Sequence, residues 1–203
     1  MHPSQDTSNR PVHLARRDAF FTRALELLCI PFQQIALQQR LENVTSVLAC
    51  LQMSRKHAFF ASQYESAMPA EEDLVHFLDL KIENVDSLAA MLQHQAHLEA
   101  ETNVLSSFLG ITHEQSLLPA FHYQRRAEDI LQGVWHLIGQ VQSPFQHLRK
   151  ACIDSLSDAE KKRYERALLH FEQEARAKYR TPAPPPPPSQ EPQAQPAGSS
   201  AEG

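Results

Sequence analysis

The stretch Met91–Glu101 (MLQHQAHLEAE) contains residue types that commonly bind transition metals in proteins: His94, His97 and Glu101. In a helix, at 100° per residue, these three side chains fall within about 60° of one another on one face. Imidazole and carboxylate ligands suit zinc or iron. The three residues are therefore the candidate metal ligands of this chain.

The rest of the sequence argues against a metal centre. Helical-bundle metal sites usually combine such a pair with a Glu-x-x-His motif on another helix. This chain has no Glu-x-x-His, and its nearest approximation is Asp73-x-x-His76. The apolar stripe of the helix also changes sides around residues 97–101, which is typical of a polar crossover between two packing partners. We therefore predict no metal and no cofactor, and a metal- or cofactor-binding bundle is the alternative.

Catalytic motifs are also missing from the sequence. The chain has five glycines, whereas phosphate loops and nucleophile elbows need glycine where the backbone turns sharply or approaches a ligand. Cys29, Cys50 and Cys152 lie among apolar neighbours without a Cys-x-x-Cys pair. This pattern predicts buried thiols in a reducing compartment. We predict that the protein is not an enzyme.

Composition excludes further classes of function. The net charge of −5 and the pI near 6.1 do not favour nucleic-acid binding. No apolar stretch approaches the ~18 residues that a membrane span requires. The N-terminus lacks the apolar segment of a signal peptide. We expect a cytoplasmic or nuclear location.

Apolar residues recur at alternating spacings of three and four from Phe20 to Leu51, a pattern typical of a long amphipathic helix. The pattern continues through Pro31, so we predict one kinked helix over residues 18–54. The positions are Phe20, Arg23, Leu27, Ile30, Gln34, Leu37, Leu41, Val44, Leu48 and Leu51.

A second run of this spacing extends from Ala127 to Cys152 through Pro144, where a kink and a helix break are both compatible with the sequence. We predict shorter helices over residues 56–67, 70–80 and 85–109. The final helix begins at a capping box, Ser157–Glu160 (SDAE).

These elements predict an all-α protein. Residues 18–180 are expected to form an elongated antiparallel helical bundle with long, heptad-patterned helices like those of coiled coils. Residues 1–17 are expected to be a flexible N-terminal segment, and residues 181–203 a disordered proline-rich tail.

The first run of apolar spacing, from Phe20 to Leu51, is also the predicted partner interface, and we call it the apolar seam. Arg23 and Gln34 are polar residues at seam positions, and buried polar groups specify how helices pair. We predict a helical interaction protein, an adaptor or an assembly subunit of a complex, that binds other proteins as a homodimer or hetero-complex. The candidate interface residues are Ile30, Gln34, Leu37, Leu41, Val44 and Leu48.

A third functional class is an amphipathic coat protein on a membrane or granule surface. Helices of that class carry Lys and Arg along the polar side. The polar face of residues 18–54 has balanced charge and is rich in glutamine. The sequence therefore favours a protein partner over a membrane.

The tail contains five consecutive prolines, Pro184 to Pro188, which favour the polyproline II conformation. Its flanks do not match the ligands of SH3, WW, EVH1 or profilin grooves. We predict a solvated spacer, and a recognition segment is the alternative.

Deleting residues 181–203 is expected to leave folding, helicity and the main partner interaction intact, because the tail has too little apolar surface to join a core. Circular dichroism and partner capture with the truncated chain test this. Loss of partner binding would place the recognition site in the tail.

Overall fold

The computed structural model describes residues 9–30, 36–109, 132 and 145–181 of the chain. The all-α prediction is confirmed for these residues, which contain helices and turns but no strand. The helices are α1 (Arg10–Leu28), α2 (Leu37–Ser62), α3 (Pro69–Leu109), α4 (residues 145–154) and α5 (Asp158–Lys178). None of the described helices has the length and apolar character to span a membrane.

The predicted single kinked helix through Pro31 is wrong. Helix α1 ends at Leu28, and α2 begins at Leu37. Proline disfavours helical dihedral angles in the residue before it, here Ile30, and offers no N–H to the preceding turn. The alternating spacing of apolar residues thus belongs to two helices.

Two hydrogen bonds show that α1 and α2 are antiparallel. The Asn43 amide donates to the Leu27 carbonyl over 2.9 Å, near the end of α1 and the start of α2. The Ser54 hydroxyl donates to the Arg17 carbonyl over 2.9 Å, nearer the start of α1 and the end of α2. The two helices form a hairpin.

Helix α2 ends later than predicted, and α3 is longer than predicted. Helix α2 continues to Ser62, and α3 has 41 residues, so the separate helices predicted over 56–67, 70–80 and 85–109 are wrong. The sequence has no glycine or proline between Pro69 and Leu109, so no strong helix breaker interrupts α3. The separation at Pro69 is confirmed, because α3 begins there. At 1.5 Å per residue, α3 is about 60 Å long.

Helix α1 starts earlier than predicted, so the flexible segment predicted for residues 1–17 is wrong from Arg10 onward. Pro11 lies in the first turn, where its missing N–H costs nothing. Thirteen of the 19 residues of α1 are buried, which is typical of a helix surrounded by others. Residues 1–8 lie outside the described residues, as do Pro144 and residues 182–203 of the predicted tail.

Helix α4 packs antiparallel to α1. Phe145 stacks on Phe21 with ring centroids 3.6 Å apart, whereas Arg149, farther along α4, contacts Asp18, which lies earlier in α1. The start of α4 therefore lies near the end of α1.

Helix α5 instead runs parallel to α1. Arg163 donates to Asn9 over 3.1 Å, and Arg16 donates to Glu174 over 2.8 Å, so both helices advance in the same direction. The predicted antiparallel packing thus describes α2 and α4 relative to α1, but not α5.

The capping box predicted at the start of α5 is confirmed. The Ser157 hydroxyl accepts a hydrogen bond from the Glu160 N–H, while the Glu160 carboxylate accepts one from the Ser157 N–H over 2.9 Å. Hydrogen bonding to Ser157 lowers the pKa of Glu160.

A buried carboxylate joins these helices. Asp18 is 1% exposed and accepts hydrogen bonds from Arg17 over 2.7 Å, Arg149 over 2.8 Å and the Tyr164 hydroxyl over 2.7 Å. Burial alone would lower the pKa of Arg17, but the charge and hydrogen bond of Asp18 raise it. Within the described residues, neither Nη atom of Arg17 has a hydrogen-bond partner. The Asp18 carboxylate is therefore the counter-charge that stabilises the buried Arg17 guanidinium.

Changing Asp18→Asn is expected to lower the free energy of unfolding by about 3–5 kcal/mol, because it leaves a buried cation without its counter-charge. Urea unfolding followed by circular dichroism measures the loss. The matched control is Arg55→Ala, which removes a 2.8 Å pair with Asp79 whose side chains are 39% and 44% exposed. Its loss is expected to stay below about 1 kcal/mol. Equal losses in the two variants would contradict the role given to Asp18.

Candidate interaction site

The three candidate metal ligands lie on the exposed surface of α3. The Nε2 atom of His97 lies 3.1 Å from Oε1 of Glu101, and these side chains are 69% and 58% exposed. His94 is also exposed. The part of the chain that the structure describes contains no group of three side chains placed to hold a metal ion. His97 and Glu101 instead form a solvent-exposed pair one helical turn apart.

The described residues of the predicted partner interface lie partly in the core and partly at its edge. Val44 is 0% exposed and packs inside its own chain. Four others are half-buried against the same core: Ile30, Leu37, Leu41 and Leu48. Gln34 lies outside the described residues. Arg23, the other polar seam residue, donates to the Tyr179 carbonyl over 2.8 Å and so pairs with α5 of the same chain.

Two of the three cysteines are buried as predicted. Cys50 and Cys152 are each 0% exposed, and burial raises the pKa of the Cys50 thiol to about 12. Cys29 is exposed, so the prediction is wrong there. Because α1 ends at Leu28, Cys29 lies in the turn beyond the buried face.

The apolar side chains exposed near the end of α2 form the strongest candidate for an interaction site. Phe59 is 42% exposed and Phe60 38%, and Met68, just before α3, is 39% exposed. The backbone N–H groups of Gln63 and Tyr64 bond back to carbonyls of the last turn of α2. This turn brings the Tyr64 ring back toward α1.

Helix α1 contributes a histidine to the same place. The Nδ1 atoms of His13 and His57 are 2.9 Å apart. Since two protonated nitrogens would repel at this distance, one imidazole must accept the hydrogen bond of the other. The Phe60 ring lies 5.4 Å from the ring of His13 and 5.9 Å from that of His57, and Tyr64 lies 6.2 Å from His13. We call His13, His57, Phe59, Phe60 and Tyr64 the aromatic corner.

A cavity of about 350 Å³ opens within the aromatic corner. It is lined by His13, Phe60, Gln63 and Tyr64. Ligand-binding cavities commonly measure ~300–1,000 Å³ and combine apolar walls with a few polar groups. The Gln63 amide and the Tyr64 hydroxyl supply hydrogen-bond donors in this lining.

Cationic side chains cover the outer rings of the corner. The Arg55 guanidinium lies 5.7 Å from the centroid of Phe59, and the Lys56 ammonium lies 5.8 Å from that of Phe60. Both are cation–π contacts. Arg55 also donates to Asp79 over 2.8 Å, which partly balances its charge, so the surface around the corner is aromatic and moderately basic.

The two imidazoles remain uncharged at neutral pH. Burial, together with the charges of Arg16, His13 and Lys56, lowers the pKa of His57 to about 4. Burial and the charge of Arg16 also lower the pKa of His13. The cavity thus has a neutral floor and cationic margins.

A larger cavity of about 560 Å³ lies beside α4. Its described lining comes from that one helix, and Arg149 already bonds to Asp18 and Tyr164. The described residues therefore do not form a cleft between elements there. The lining residues are Gln146, His147, Arg149, Lys150, Ile153 and Asp154.

The aromatic corner was not predicted from the sequence, although the sequence contains a signal for it. Continuing the alternating spacing beyond Leu51 reaches Arg55, Ala58 and Ser62, so Phe59 and Phe60 fall beside the seam. Large aromatic side chains outside the predicted buried positions mark a candidate surface. The contact with His13 depends on the helix break at Pro31 and could not be read from spacing.

Comparisons with protein-family models, with curated proteins and with solved structures found no match to this chain.

The His13–His57 pair predicts an acid-sensitive stability. In the unfolded chain His57 becomes protonated near pH 6.5, whereas in the folded chain it becomes protonated only near pH 4. Between these values the unfolded state binds more protons, so the free energy of unfolding decreases as the pH falls through this window. After solvent screening we expect a loss of about 1–2 kcal/mol.

Urea unfolding at pH 7 and at pH 4.5 measures this effect. His57→Gln is expected to remove much of the acid-dependent loss, whereas His97→Gln, at an exposed position, should retain it. An undiminished loss in His57→Gln would show that the acid sensitivity arises elsewhere.

Proposed function

We propose that this protein is a non-enzymatic helical interaction protein, an adaptor or assembly subunit of a multiprotein complex, and that the aromatic corner binds a segment of a partner protein. The observation that carries the proposal is the exposure of Phe59 and Phe60 next to a cavity. Single exposed apolar side chains are common on proteins, but clustered ones beside a concave surface are typical of interaction sites.

The chemistry of the corner supports a protein ligand. Aromatic residues often contribute most of the binding energy at protein interfaces, since each buries a large area with little loss of side-chain freedom. Arg55 and Lys56 at its margin favour a neutral or acidic partner segment over a basic one. The described residues of the corner include no activated nucleophile, so we propose binding and not a reaction at this site.

The half-buried residues Leu37, Leu41 and Leu48 are candidates for a second, helical contact, through a homodimer or a hetero-complex. We propose protein partners without nucleic acid or membrane, and a cytoplasmic or nuclear location.

Replacing both exposed rings tests the proposal. The double variant Phe59→Ser/Phe60→Ser is expected to weaken partner binding at least ~30-fold, since loss of an aromatic hot spot costs about 2 kcal/mol or more. Partners are identified by affinity purification with the full chain, and their affinities are then measured with purified proteins.

The matched control is Leu80→Ser/Leu169→Ser, which removes two apolar side chains that are 54% and 64% exposed elsewhere. It should bind the partner like the parent chain. Circular dichroism confirms that both variants fold. Equal affinity in the two double variants would overturn the proposed site.

A further inference from the structure

We propose that the cavity of the aromatic corner accepts the proline-rich segment of the same chain, Pro184 to Pro188. The proposal extends the function above and depends on the corner being a surface that binds extended protein segments. The segment would then cover the corner and compete with a partner for it.

The lining of the cavity has the chemistry that polyproline segments require. Such segments dock against grooves lined by aromatic rings, and the rigid polyproline II helix loses little entropy on binding. Proline carbonyls can only accept hydrogen bonds, because proline has no N–H. The rings of His13, Phe60 and Tyr64 provide the walls, while Gln63 and Tyr64 provide donors.

Charge also favours this occupant. The 22 residues that follow Thr181 contain two acidic residues, Glu191 and Glu202, and no Lys or Arg. The corner has Lys56 at its margin, beside Arg55, whose charge is partly balanced by its ion pair with Asp79. An uncharged proline run with acidic residues after it therefore matches a neutral floor with cationic margins.

The segment starts close enough to reach the cavity. Arg23 donates to the Thr181 hydroxyl over 3.2 Å and so holds the end of α5 against α1. His13 precedes Arg23 by ten residues, which is about 15 Å along the helix axis. The seven residues from Thr181 to Pro188 span about 22 Å in polyproline II.

The side chains between these points mark a continuous path. Arg16 lies one turn from His13, donates to Glu174 of α5 over 2.8 Å and covers the Phe171 ring at 4.6 Å. Its charge also reaches the His13–His57 pair, where it lowers the pKa of both imidazoles. The face of α1 near α5 thus leads to the aromatic corner.

The flanks of the proline run match no common proline-binding domain. Such domains read basic or aromatic residues beside the prolines, whereas this cavity offers aromatic walls and a basic margin. Residues 184–188 thus suit the cavity of their own chain better than they suit a common proline-binding domain.

The test compares the parent chain with a full-length variant in which Pro184 to Pro188 are all changed to Ser, which keeps the tail length. A fluorescent peptide of residues 181–192 is titrated into each, and anisotropy is measured. The Ser variant is expected to bind the peptide with a Kd of about 100 μM. An attached tail has an effective concentration of about 1 mM, so the parent chain should bind the peptide about 10-fold more weakly.

Two further variants, made in the Ser background, locate the contact. Tyr64→Ala should weaken peptide binding at least ~10-fold, through loss of one aromatic wall. Leu169→Ser, at a position 64% exposed on α5, should leave it unchanged. A peptide with every proline changed to alanine should not bind.

Equal peptide affinity in the parent and Ser-variant chains would overturn the proposal, as would no binding to the Ser variant. A corner occupied by a second copy of the chain would also overturn it; the Ser variant would then sediment as a dimer that Phe60→Ser dissociates. These outcomes are distinct from failure of the proposed function, which is measured by partner affinity in Phe59→Ser/Phe60→Ser.

Discussion

The Asp18 carboxylate lies at the centre of the packing because it accepts hydrogen bonds from α1, α4 and α5. A charge in this position is stable only when every helix that supplies a donor is docked. A second buried pair, Arg10 with Glu71, connects the start of α1 to the start of α3 in the same way. Replacing such pairs with apolar residues can preserve stability, but ion pairs allow only those arrangements that satisfy them. The Asp18–Tyr164 hydrogen bond thus attaches α5 to α1, and the Arg10–Glu71 pair attaches α3 to α1.

The sequence supported the helical class because its local signals agree with one another. Helix formers dominate, the apolar spacing is three and four, and the Ser157–Glu160 box marks a helix start that the structure confirms. The helix ends were harder to predict, because a heptad register can continue across a turn. Leu27 and Leu37 fit one register although they lie on opposite arms of a hairpin. Pro31 is the local signal for the break, because a proline restricts the backbone whatever the apolar spacing around it.

Less of the candidate site could be predicted. Sequence spacing correctly placed His97 and Glu101 on one helix face, but it could not show that both side chains are exposed. The aromatic corner depends on contact between residues 44 positions apart, His13 and His57. Such a contact exists only after α1 and α2 have been separated and folded back. Two residues of one continuous helix 44 positions apart could not make such a contact.

The same close packing that forms the hairpin also leaves the aromatic rings at the surface. Near the end of α2, three of the positions that face the core are small: Ser54, Ala58 and Ala61 are all 0% exposed, and His57 is the larger residue buried among them. Small side chains allow neighbouring helices to approach closely, which leaves no space in the interface for a phenyl ring. Phe59 and Phe60 flank these positions and therefore project to the side, where His13 from the adjoining helix completes the cavity. The exposure of these rings is thus a consequence of the packing in this hairpin, and it places a binding surface beside the helix pair that carries most of the core.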